Sequence, residues 1–337
     1  MENLSFRTPA SNEILYTSAD GNVVTPNETD VFGANIVSNT YKNGQGIIIF
    51  DVPVISIGSS AFSWCRSLTS VTIGDSVTEI GKDAFIYCCN LASIAIPNSI
   101  IKIKDSAFHS CSNLTRVDVS ELSAWCKIDF EYYSANPLCN GAQLFLNDTM
   151  VTDLTIPSGI TEIRNYAFYG CTSLTSVTIP DSVTEIGYEA FRGCTSLTNV
   201  VIPYSVISIK KGTFRDCTGL VDIIIPDSVT SIGNFAFSSC CNLTSVTIPD
   251  SIIEIGDSAF RWCRRLKDVY CKPTIPPNGG NYMFDDNASH LPALCKITTH
   301  FSVNDRTIYV PSASVKEYKA AKHWWWYASA IVGYDFE

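Results

Sequence analysis

The sequence lacks the features by which several functional classes are recognised. No apolar run approaches the roughly 20 consecutive residues of a membrane-spanning helix, so we expect no membrane insertion. The 23 Lys and Arg are outnumbered by 33 Asp and Glu, and the net charge of -10 disfavours binding to nucleic-acid phosphates. The first residues, MENLSFRTPASNEILYTS, show neither the basic start nor the apolar core of a secretory signal.

Motifs for catalysis and for metal binding are missing as well. The sequence contains no GxSxG, no HExxH and no phosphate-binding loop. Its only histidines are scattered without a motif: His109, His290, His300 and His323. No two cysteines have the CxxC spacing, and the two Cys-Cys doublets lie far apart, which is poor spacing for zinc. We therefore expect no enzymatic activity, no metal and no cofactor.

What the sequence does contain is a 23-residue unit that recurs in one register. A cysteine returns every 23 residues, apart from one step of 60, and a phenylalanine stands three residues before each of these cysteines. The members of this cysteine ladder are Cys65, Cys88, Cys111, Cys171, Cys194, Cys217, Cys240 and Cys263. A register shared by eight units predicts a solenoid, in which stacked coils share one continuous core.

Each unit predicts two short strands followed by a short helical turn. After the cysteine, alternating apolar residues such as Val177 predict a half-buried strand, which a proline then ends. A second alternation places Val183 and Ile186 inward, and Gly187 is expected to provide permissive backbone for the next turn. The segment YEAFRGC predicts one helical turn, with Glu189 near its positive N-terminal end. The fold class is therefore α/β and β-rich.

The units divide the chain into three predicted regions. Residues 1–50 lack the repeat and are expected to form an N-terminal β cap. Residues 51–270 form the solenoid, in which residues 118–156 make one irregular, long coil. Residues 271–337 are expected to form a C-terminal cap with a terminal helix, so the solenoid is predicted to be closed at both ends.

Two hairpin turns are predicted outside the regular units, at Asp20-Gly21 and around Asn147-Asp148. The aromatic residues of the long coil are interpreted as filling an irregular coil rather than a ligand site: Trp125, Phe130, Tyr132 and Tyr133. The terminal helix is predicted to be capped near Ser312 or Ser314. Its apolar face is predicted to consist of Val315, Tyr318, Ala321, Trp324, Tyr327 and Ile331.

The unit Leu-x-x-Val-x-Ile-Pro-x-x-Val-x-x-Ile-Gly-x-x-Ala-Phe-x-x-Cys, nearly intact from Leu174 to Cys194, resembles the BspA-like, or treponemal-type, leucine-rich repeat. The resemblance covers about residues 50–270 and implies a leucine-rich-repeat solenoid. The segments AWCKIDF, ANPL and TDLTIP resemble the long variant coil of that family, and IYVP with YKAAKHW resembles its usual C-terminal cap.

Members of this family are typically surface or secreted proteins of host-associated bacteria and of some parasitic protists. The resemblance therefore implies a non-catalytic, adhesin-like protein at the cell surface or secreted. It also implies a protein partner, from the extracellular matrix or from the surface of another cell. The family has no common catalytic residues, and its repeats vary at exposed positions, so no specific ligand follows.

Candidate partner-binding residues are those that depart from the repeat at outward strand positions, where most units carry Ser or Thr. They are Arg116, Asp118, Asn199, Val201, Asp222, Ile224, Asp268 and Tyr270. Trp325 and Trp326 lie off the predicted apolar face of the terminal helix, and a protein or glycan contact there stays open. The alternatives to protein binding are a glycan-binding surface module that uses exposed aromatics and a purely structural spacer.

The cysteine ladder is interpreted as reduced, buried filler, because equivalent side chains stack about 4.8 Å apart with parallel Cβ vectors. Cys126 with Cys139, and Cys271 with Cys295, lie outside the ladder and could pair if the protein is exported. Four glutamates share one position of the second strand and are interpreted as a solvated outer row rather than a cation site: Glu79, Glu162, Glu185 and Glu254.

Overall fold

The computed structural model describes residues 8–27, 29–285 and 306–336. Its contacts divide the chain into two compact units, and each is described by itself. Unit 1 comprises Met1–Val151 with Tyr169–Cys171, and unit 2 comprises Thr152–Phe168 with Thr172–Glu337. His290, Cys295 and His300 lie outside the described residues.

Unit 1 contains twelve of the described strands and one short helix. The strands are β1 (Glu13–Ser18), β2 (Ile36–Lys42), β3 (Gln45–Phe50), β4 (Ser56–Ile57), β5 (Leu68–Ile73), β6 (Glu79–Ile80), β7 (Ser93–Ala95), β8 (Lys102–Ile103), β9 (Arg116–Val119), β10 (Asp129–Phe130), β11 (Gln143–Leu146) and β12 (Thr149–Met150), and the helix is α1 (Leu122–Trp125). One sheet has the order β12-β11-β9-β7-β5-β1-β3-β2, and a second has the order β10-β8-β6-β4.

Unit 2 contains thirteen of the described strands and a second short helix. The strands are β13 (Asp153–Thr155), β14 (Glu162–Ile163), β15 (Ser176–Thr178), β16 (Glu185–Ile186), β17 (Asn199–Val201), β18 (Ser208–Ile209), β19 (Ser231–Ile232), β20 (Ser245–Ile248), β21 (Glu254–Ile255), β22 (Asp268–Cys271), β23 (Asn278–Gly279), β24 (Thr307–Pro311) and β25 (Ile331–Tyr334), and the helix is α2 (Val315–Ala320). Its sheets have the orders β13-β15-β17, β14-β16, β18-β19-β21-β23 and β20-β22-β24-β25.

Equivalent residues of consecutive coils pair in parallel, which confirms the predicted solenoid. Ser70 pairs with Ser93, and Ser93 pairs with Arg116. Side chains repeat in the same way, because the phenylalanine rings of successive coils stack. The rings of Phe191 and Phe214, for example, lie 5.7 Å apart and only 5° from parallel. The core of each unit is therefore a set of stacked rows, with one row for each inward position of the repeat.

The predicted helical turn is wrong, because the segment forms tight turns that bond to the next coil. Glu189 and Gly193 have φ values of 52° and 76°, in the left-handed region that an α-helix excludes. The N–H groups of Glu189, Phe191 and Gly193 donate to Lys211, Thr213 and Arg215 of the next coil, at 3.1, 3.0 and 2.8 Å. These bonds between coils alternate with bonds within the segment, such as that from the N–H of Arg192 to the carbonyl of Glu189 at 3.2 Å, so no continuous i→i−4 helical ladder forms.

The cysteine ladder consists of free thiols, and its buried members also form hydrogen bonds. The Sγ of Cys217 donates to the carbonyl of Phe191 at 3.1 Å, and that carbonyl also accepts from the N–H of Cys194 at 3.2 Å. The same contact to the phenylalanine of the preceding coil recurs at Cys88, Cys111, Cys194, Cys240 and Cys263. The predicted filler role is therefore incomplete, since the thiol also links one coil to the next.

The first strands of unit 1 differ from the hairpin predicted at Asp20-Gly21. Strand β1 pairs antiparallel with β3 on one side and with β5 on the other, and no described strand follows Gly21 until β2. The observed hairpin joins β2 to β3 through Asn43-Gly44, both with positive φ. Asp20 instead forms a local turn, in which its carboxylate accepts from the N–H of Asn22 at 3.0 Å.

The long coil of unit 1 contains the second predicted hairpin. Strands β11 and β12 pair antiparallel, and Asn147 and Asp148 between them have φ values of 47° and 64°. Trp125 and Phe130 are buried with ring centres 5.3 Å apart, which agrees with their interpretation as core. Cys126 is free in the structure. Cys139 and Cys271 are free as well, so neither considered disulfide is present.

The single terminal helix predicted for unit 2 is wrong, and two of its predicted inward residues, Val315 and Ala321, are only half-buried. Helix α2 ends at Ala320, and Ile331 belongs to strand β25. Ser314 occupies the N-cap position without a capping bond, and its hydroxyl donates to the carbonyl of Thr274 at 2.7 Å. Tyr318, Trp324 and Tyr327 are buried, as predicted. The interpretation of residues 1–50 and 271–337 as caps stays a prediction, as do the proposed domain boundaries.

Candidate functional site

The outward strand faces of unit 2 bring most of the candidate residues together in two adjacent rows. One row runs through Ser176, Asn199, Asp222, Ser245 and Asp268, and the other runs through Thr178, Val201, Ile224, Thr247 and Tyr270. Val201 and Ile224 pair directly and remain 56% and 66% exposed. Adjacent apolar side chains at this exposure are costly to leave in water unless something covers them.

The parallel ladder is interrupted at residues 221–225. Only an isolated bridge connects Ile224 to Val201, whereas the neighbouring coils form strands β17 and β20. The carboxylate of Asp222 accepts the N–H of Ile223 at 2.8 Å. This local bond occupies a backbone donor within the interrupted segment, as Asp side chains commonly do in turns.

Two shallow grooves lie beside strand β20. The first, of about 330 Å³, is at the interruption and includes Tyr204, Asp222, Ile224, Asp227 and Lys272 in its lining. The second, of about 460 Å³, is lined by Thr244, Ser245, Arg265, Lys267, Asp268 and Tyr270. The candidate residues Asp222, Ile224, Asp268 and Tyr270 therefore line concave parts of the strand face.

Stacked tyrosines extend the apolar row toward the C-terminal strands. The rings of Tyr270 and Tyr309 are 4.8 Å apart and 10° from parallel. Tyr334 packs its edge against both rings, at 5.9 and 5.5 Å. Such pairs fix the orientation of rings that remain partly accessible, and aromatic side chains are enriched in protein interfaces.

The sequence profile described as the BspA type Leucine rich repeat region matches the chain in six copies, over residues 34–132, 141–267 and 184–291. These matches cover well over half of the chain. The chain belongs to the BspA-type leucine-rich repeat family. No curated protein matches its sequence.

Solved structures similar to this BspA-type chain come from several bacteria. A leucine-rich repeat protein from Bacteroides ovatus is 21% identical in sequence. The match covers 90% of this chain and 92% of the Bacteroides chain, with a TM-score of 0.42. A leucine rich cell surface protein from Faecalibacterium prausnitzii is 22% identical, with coverages of 80% and 95% and a TM-score of 0.38. The T. pallidum leucine rich repeat protein is 29% identical, with coverages of 57% and 73% and a TM-score of 0.33.

The remaining candidate strand residues, Arg116 and Asp118, lie in unit 1 and engage each other. An Nη2 atom of Arg116 lies 2.5 Å from Asp118 and 2.5 Å from Asp148, and the guanidinium lies 4.2 Å from the ring centre of Phe145. The hydrogen bonds that Arg116 donates to these carboxylates, above all to Asp118, raise the pKa of Arg116. These departures from the repeat therefore have an intramolecular role in the long coil, and a partner contact there stays a prediction.

Trp325 and Trp326 belong to an exposed aromatic cluster of unit 2. Trp326 stacks on Tyr282 at 5.6 Å and meets the edges of His323 and Trp325 at 5.1 and 5.2 Å. Trp324 differs, because it is buried and its Nε1 donates to the carbonyl of Pro277 at 2.8 Å. The predicted distinction between the inward indole and the two outward ones agrees with the structure.

The sequence reasoning missed an exposed aromatic pair in unit 1. Trp64 is exposed, and its ring stacks on Tyr87 at 4.1 Å, with the guanidinium of Arg66 5.5 Å from the indole centre. Trp64 and Tyr87 have positive φ at the position directly before a ladder cysteine. Four of the other six units carry Gly or Ser there, and the remaining two carry Asp216 and Trp262, so an aromatic residue at this position was the available signal.

At the strand position of the four glutamates, Glu162 and Glu185 pair in register, and other residue types interrupt the row. In unit 1, Glu79 lies 2.7 Å from Lys104, and its hydrogen bond raises the pKa of that lysine. In unit 2, Glu185 pairs with Lys210, and Ser208 and Ser231 occupy the strand positions that follow in register. Among the described residues, no three His, Cys, Asp or Glu are grouped to hold a metal ion. No described helix is long and apolar enough to cross a membrane.

Proposed function

We propose that this protein is a non-catalytic interaction protein, and that it binds another protein through the outward strand face of unit 2. The observation that carries the proposal is the pair Val201 and Ile224. Both are large, exposed and adjacent at a position where neighbouring coils carry Thr178 and Thr247. The repeat does not need apolar side chains at this position, so packing within the coil does not account for them.

The energy available at this pair is appreciable for a partner. Complete burial of a Val or Ile side chain contributes about 1.5 to 3 kcal/mol, so covering the exposed fractions of both would contribute about 2 to 4 kcal/mol. Their neighbours Asp222 and Asn199 add polar groups around the apolar centre. An apolar centre with a polar rim is the usual arrangement of a protein interface.

The finer statement of this role comes from the family. We propose an adhesin-like protein that is secreted or displayed at the cell surface. Its partner would belong to the extracellular matrix or to the surface of another cell. Family membership supports this assignment, together with the exposed face described above.

The test is a binding screen against matrix and cell-surface proteins with paired variants. Val201→Thr and Ile224→Thr restore the residue of neighbouring coils, and we expect the double variant to weaken binding of a true partner at least tenfold. Ile207→Thr and Ile253→Thr are matched controls, since these residues are 64% and 66% exposed at another position of the coil, where Thr184 and Thr230 occur. Equal losses in both pairs would contradict the proposed surface.

A glycan-binding role is the second candidate, supported by the exposed cluster of Tyr282, Trp325 and Trp326. A glycan array probed with the unaltered chain and with Trp325→Ala and Trp326→Ala tests it. Glycan binding lost in these variants, with protein binding intact, would favour the second role. Protein binding that persists without any glycan signal would count against it.

A further inference from the structure

We propose that the groove at the interrupted coil recognises a basic protein segment, in which an apolar side chain is flanked by Lys or Arg on both sides. This inference rests on the proposed function and specifies the chemistry of the partner. It follows from the order of groove-lining residues along the chain, in which the apolar Ile224 stands between the carboxylates of Asp222 and Asp227.

The apolar centre of the groove is Ile224, which is two-thirds exposed and adjacent to Val201. Asp222 lies two residues before Ile224, and Asp227 lies three residues after it, beyond Pro226. Both carboxylates line the same groove as Ile224. At about 3.3 Å per residue in extended chain, each carboxylate is roughly 7 to 10 Å along the backbone from the apolar centre.

The carboxylates of Asp222 and Asp227 place negative charge on both sides of Ile224, and no close cation among the described residues neutralises them. Within the part of the chain that the structure describes, no salt bridge to Asp222 or Asp227 is present. Asp250 adds a further exposed carboxylate at the equivalent position of the next coil. Lys272 is the one cation of this lining in the described chain, so the groove carries a net negative charge.

The second groove beside strand β20 carries a net positive charge. The inference therefore applies to the first groove alone. Its charged lining consists of Arg265, Lys267 and Asp268. A basic segment would be repelled there and attracted at Ile224. Charge complementarity of this kind sets the register and the choice of partner more than it sets total affinity.

The experiment uses the full chain and two synthetic peptides. The first contains Lys-Ser-Leu-Ser-Lys units separated by Gly-Ser, so that each Lys lies two residues from Leu and on the same side of an extended chain. The second has Glu in place of every Lys. We expect the lysine peptide to bind and the glutamate peptide to fail. Affinity for the lysine peptide should fall as salt rises, because exposed charge pairs are screened at high ionic strength.

Paired variants separate this groove from general attraction to an acidic protein. Asp222→Asn with Asp227→Asn keeps the side-chain shape and an acceptor for the N–H of Ile223, and we expect about fivefold or greater weakening. Asp75→Asn with Glu121→Gln removes the same charge from exposed residues of unit 1, and Asp75 occupies the repeat position of Asp227. We expect this control to change affinity less than twofold.

The outcomes distinguish the two proposals. Equal weakening by both pairs of variants would mean nonspecific attraction and would overturn the inference. A natural partner that is sensitive to Ile224→Thr but indifferent to Asp222→Asn with Asp227→Asn would preserve the proposed function and overturn the inference. A lysine peptide that requires both aspartates but is unaffected by Ile224→Thr would overturn the apolar part of the surface. Circular dichroism of each variant, unchanged from the unaltered chain, excludes loss of fold as the cause.

Discussion

Replacement of Gly187 by alanine should destabilise the coil stack, because the added methyl group would clash with the backbone of the preceding coil. The N–H of Gly187 donates to the carbonyl of Ile163 at 2.8 Å, and its φ is not in the left-handed region. A Cβ on Gly187 would lie 2.5 Å from the backbone N of Asn165 and 2.7 Å from the backbone C of Arg164. These are main-chain atoms and cannot rotate away, so the coils themselves would have to separate.

The magnitude follows from two opposing contributions. Overpacking of this kind costs about 1 to 3 kcal/mol. Alanine also restricts the unfolded chain, which stabilises the folded state by about 0.4 to 1 kcal/mol. We therefore expect a net loss of about 1 to 2 kcal/mol for Gly187→Ala. Gly159→Ala is the matched control, because a Cβ there meets nothing within 4 Å and φ is not positive. Its stability should be unchanged or slightly higher.

Urea unfolding followed by circular dichroism measures both variants. A solenoid can unfold in parts, so the midpoints are compared directly rather than converted through a two-state extrapolation. Gly187→Ala should shift the midpoint down by several tenths of a molar or more, given a slope of about 1 to 3 kcal/mol per molar. Superimposable curves for Gly187→Ala and Gly159→Ala would refute the argument that coil spacing requires glycine.

Three further predictions concern thiols and a buried indole. Burial raises the pKa of Cys111 to about 12 and that of half-buried Cys65 to about 11, so Cys65 should react faster with a thiol reagent at pH 8. Because the pKa of each thiol is higher in the folded state than its unfolded value near 9, the thiols contribute their full stabilisation below pH 9. This stabilisation is lost as the pH rises toward 12. A urea midpoint that does not fall over this pH range would contradict the coupling between thiol ionisation and stability. Trp324→Phe should cost about 1 to 3 kcal/mol, because the carbonyl of Pro277 loses its donor, whereas Trp326→Phe should change the midpoint little; equal midpoints would argue against a structural role for the indole N–H.

Much of the fold could be predicted because one unit recurs in one register. Alternating residues such as Val177 and Ile186 identified the inward rows, and both are buried. The turn before each ladder cysteine could not be predicted in the same way, because its hydrogen-bond partners belong to another coil. Local sequence around Glu189 favours a helical turn, and only the stacked neighbour supplies the acceptors that make left-handed backbone preferable.

The pairing of the first strands also depends on residues that are distant in sequence. The hairpin forms at Asn43-Gly44, where both residues have positive φ, rather than at the predicted Asp20-Gly21. Tyr16 and its neighbours in β1 are buried between β3 and β5, so the pairing of β1 depends on strands distant in sequence. A local signal identifies a turn, but it does not identify which strands the turn brings together.

The candidate surface was predictable to the extent that it departs from the repeat. Val201, Ile224 and Asp222 were identified because neighbouring coils carry Thr or Ser at those positions, and the structure places all three on one face. Nothing in the sequence revealed the groove, because it lies where the ladder is interrupted. Trp64 was not predicted as a surface residue, because it stands directly before a ladder cysteine in a segment that the sequence predicts as a turn.

The positions of the repeat that recur are those that other coils contact. The thiol of Cys217, the ring of Phe191 and the N–H of Gly187 each bond or pack against a neighbouring coil. Changes at such positions are costly for stability, whereas outward positions such as Val201 and Ile224 carry no such constraint. Val201→Thr with Ile224→Thr should therefore leave the urea midpoint unchanged while it weakens partner binding. A loss of stability that accompanies the loss of binding would instead mean that these side chains are needed by the coil itself, and the case for this face as a binding surface would fail.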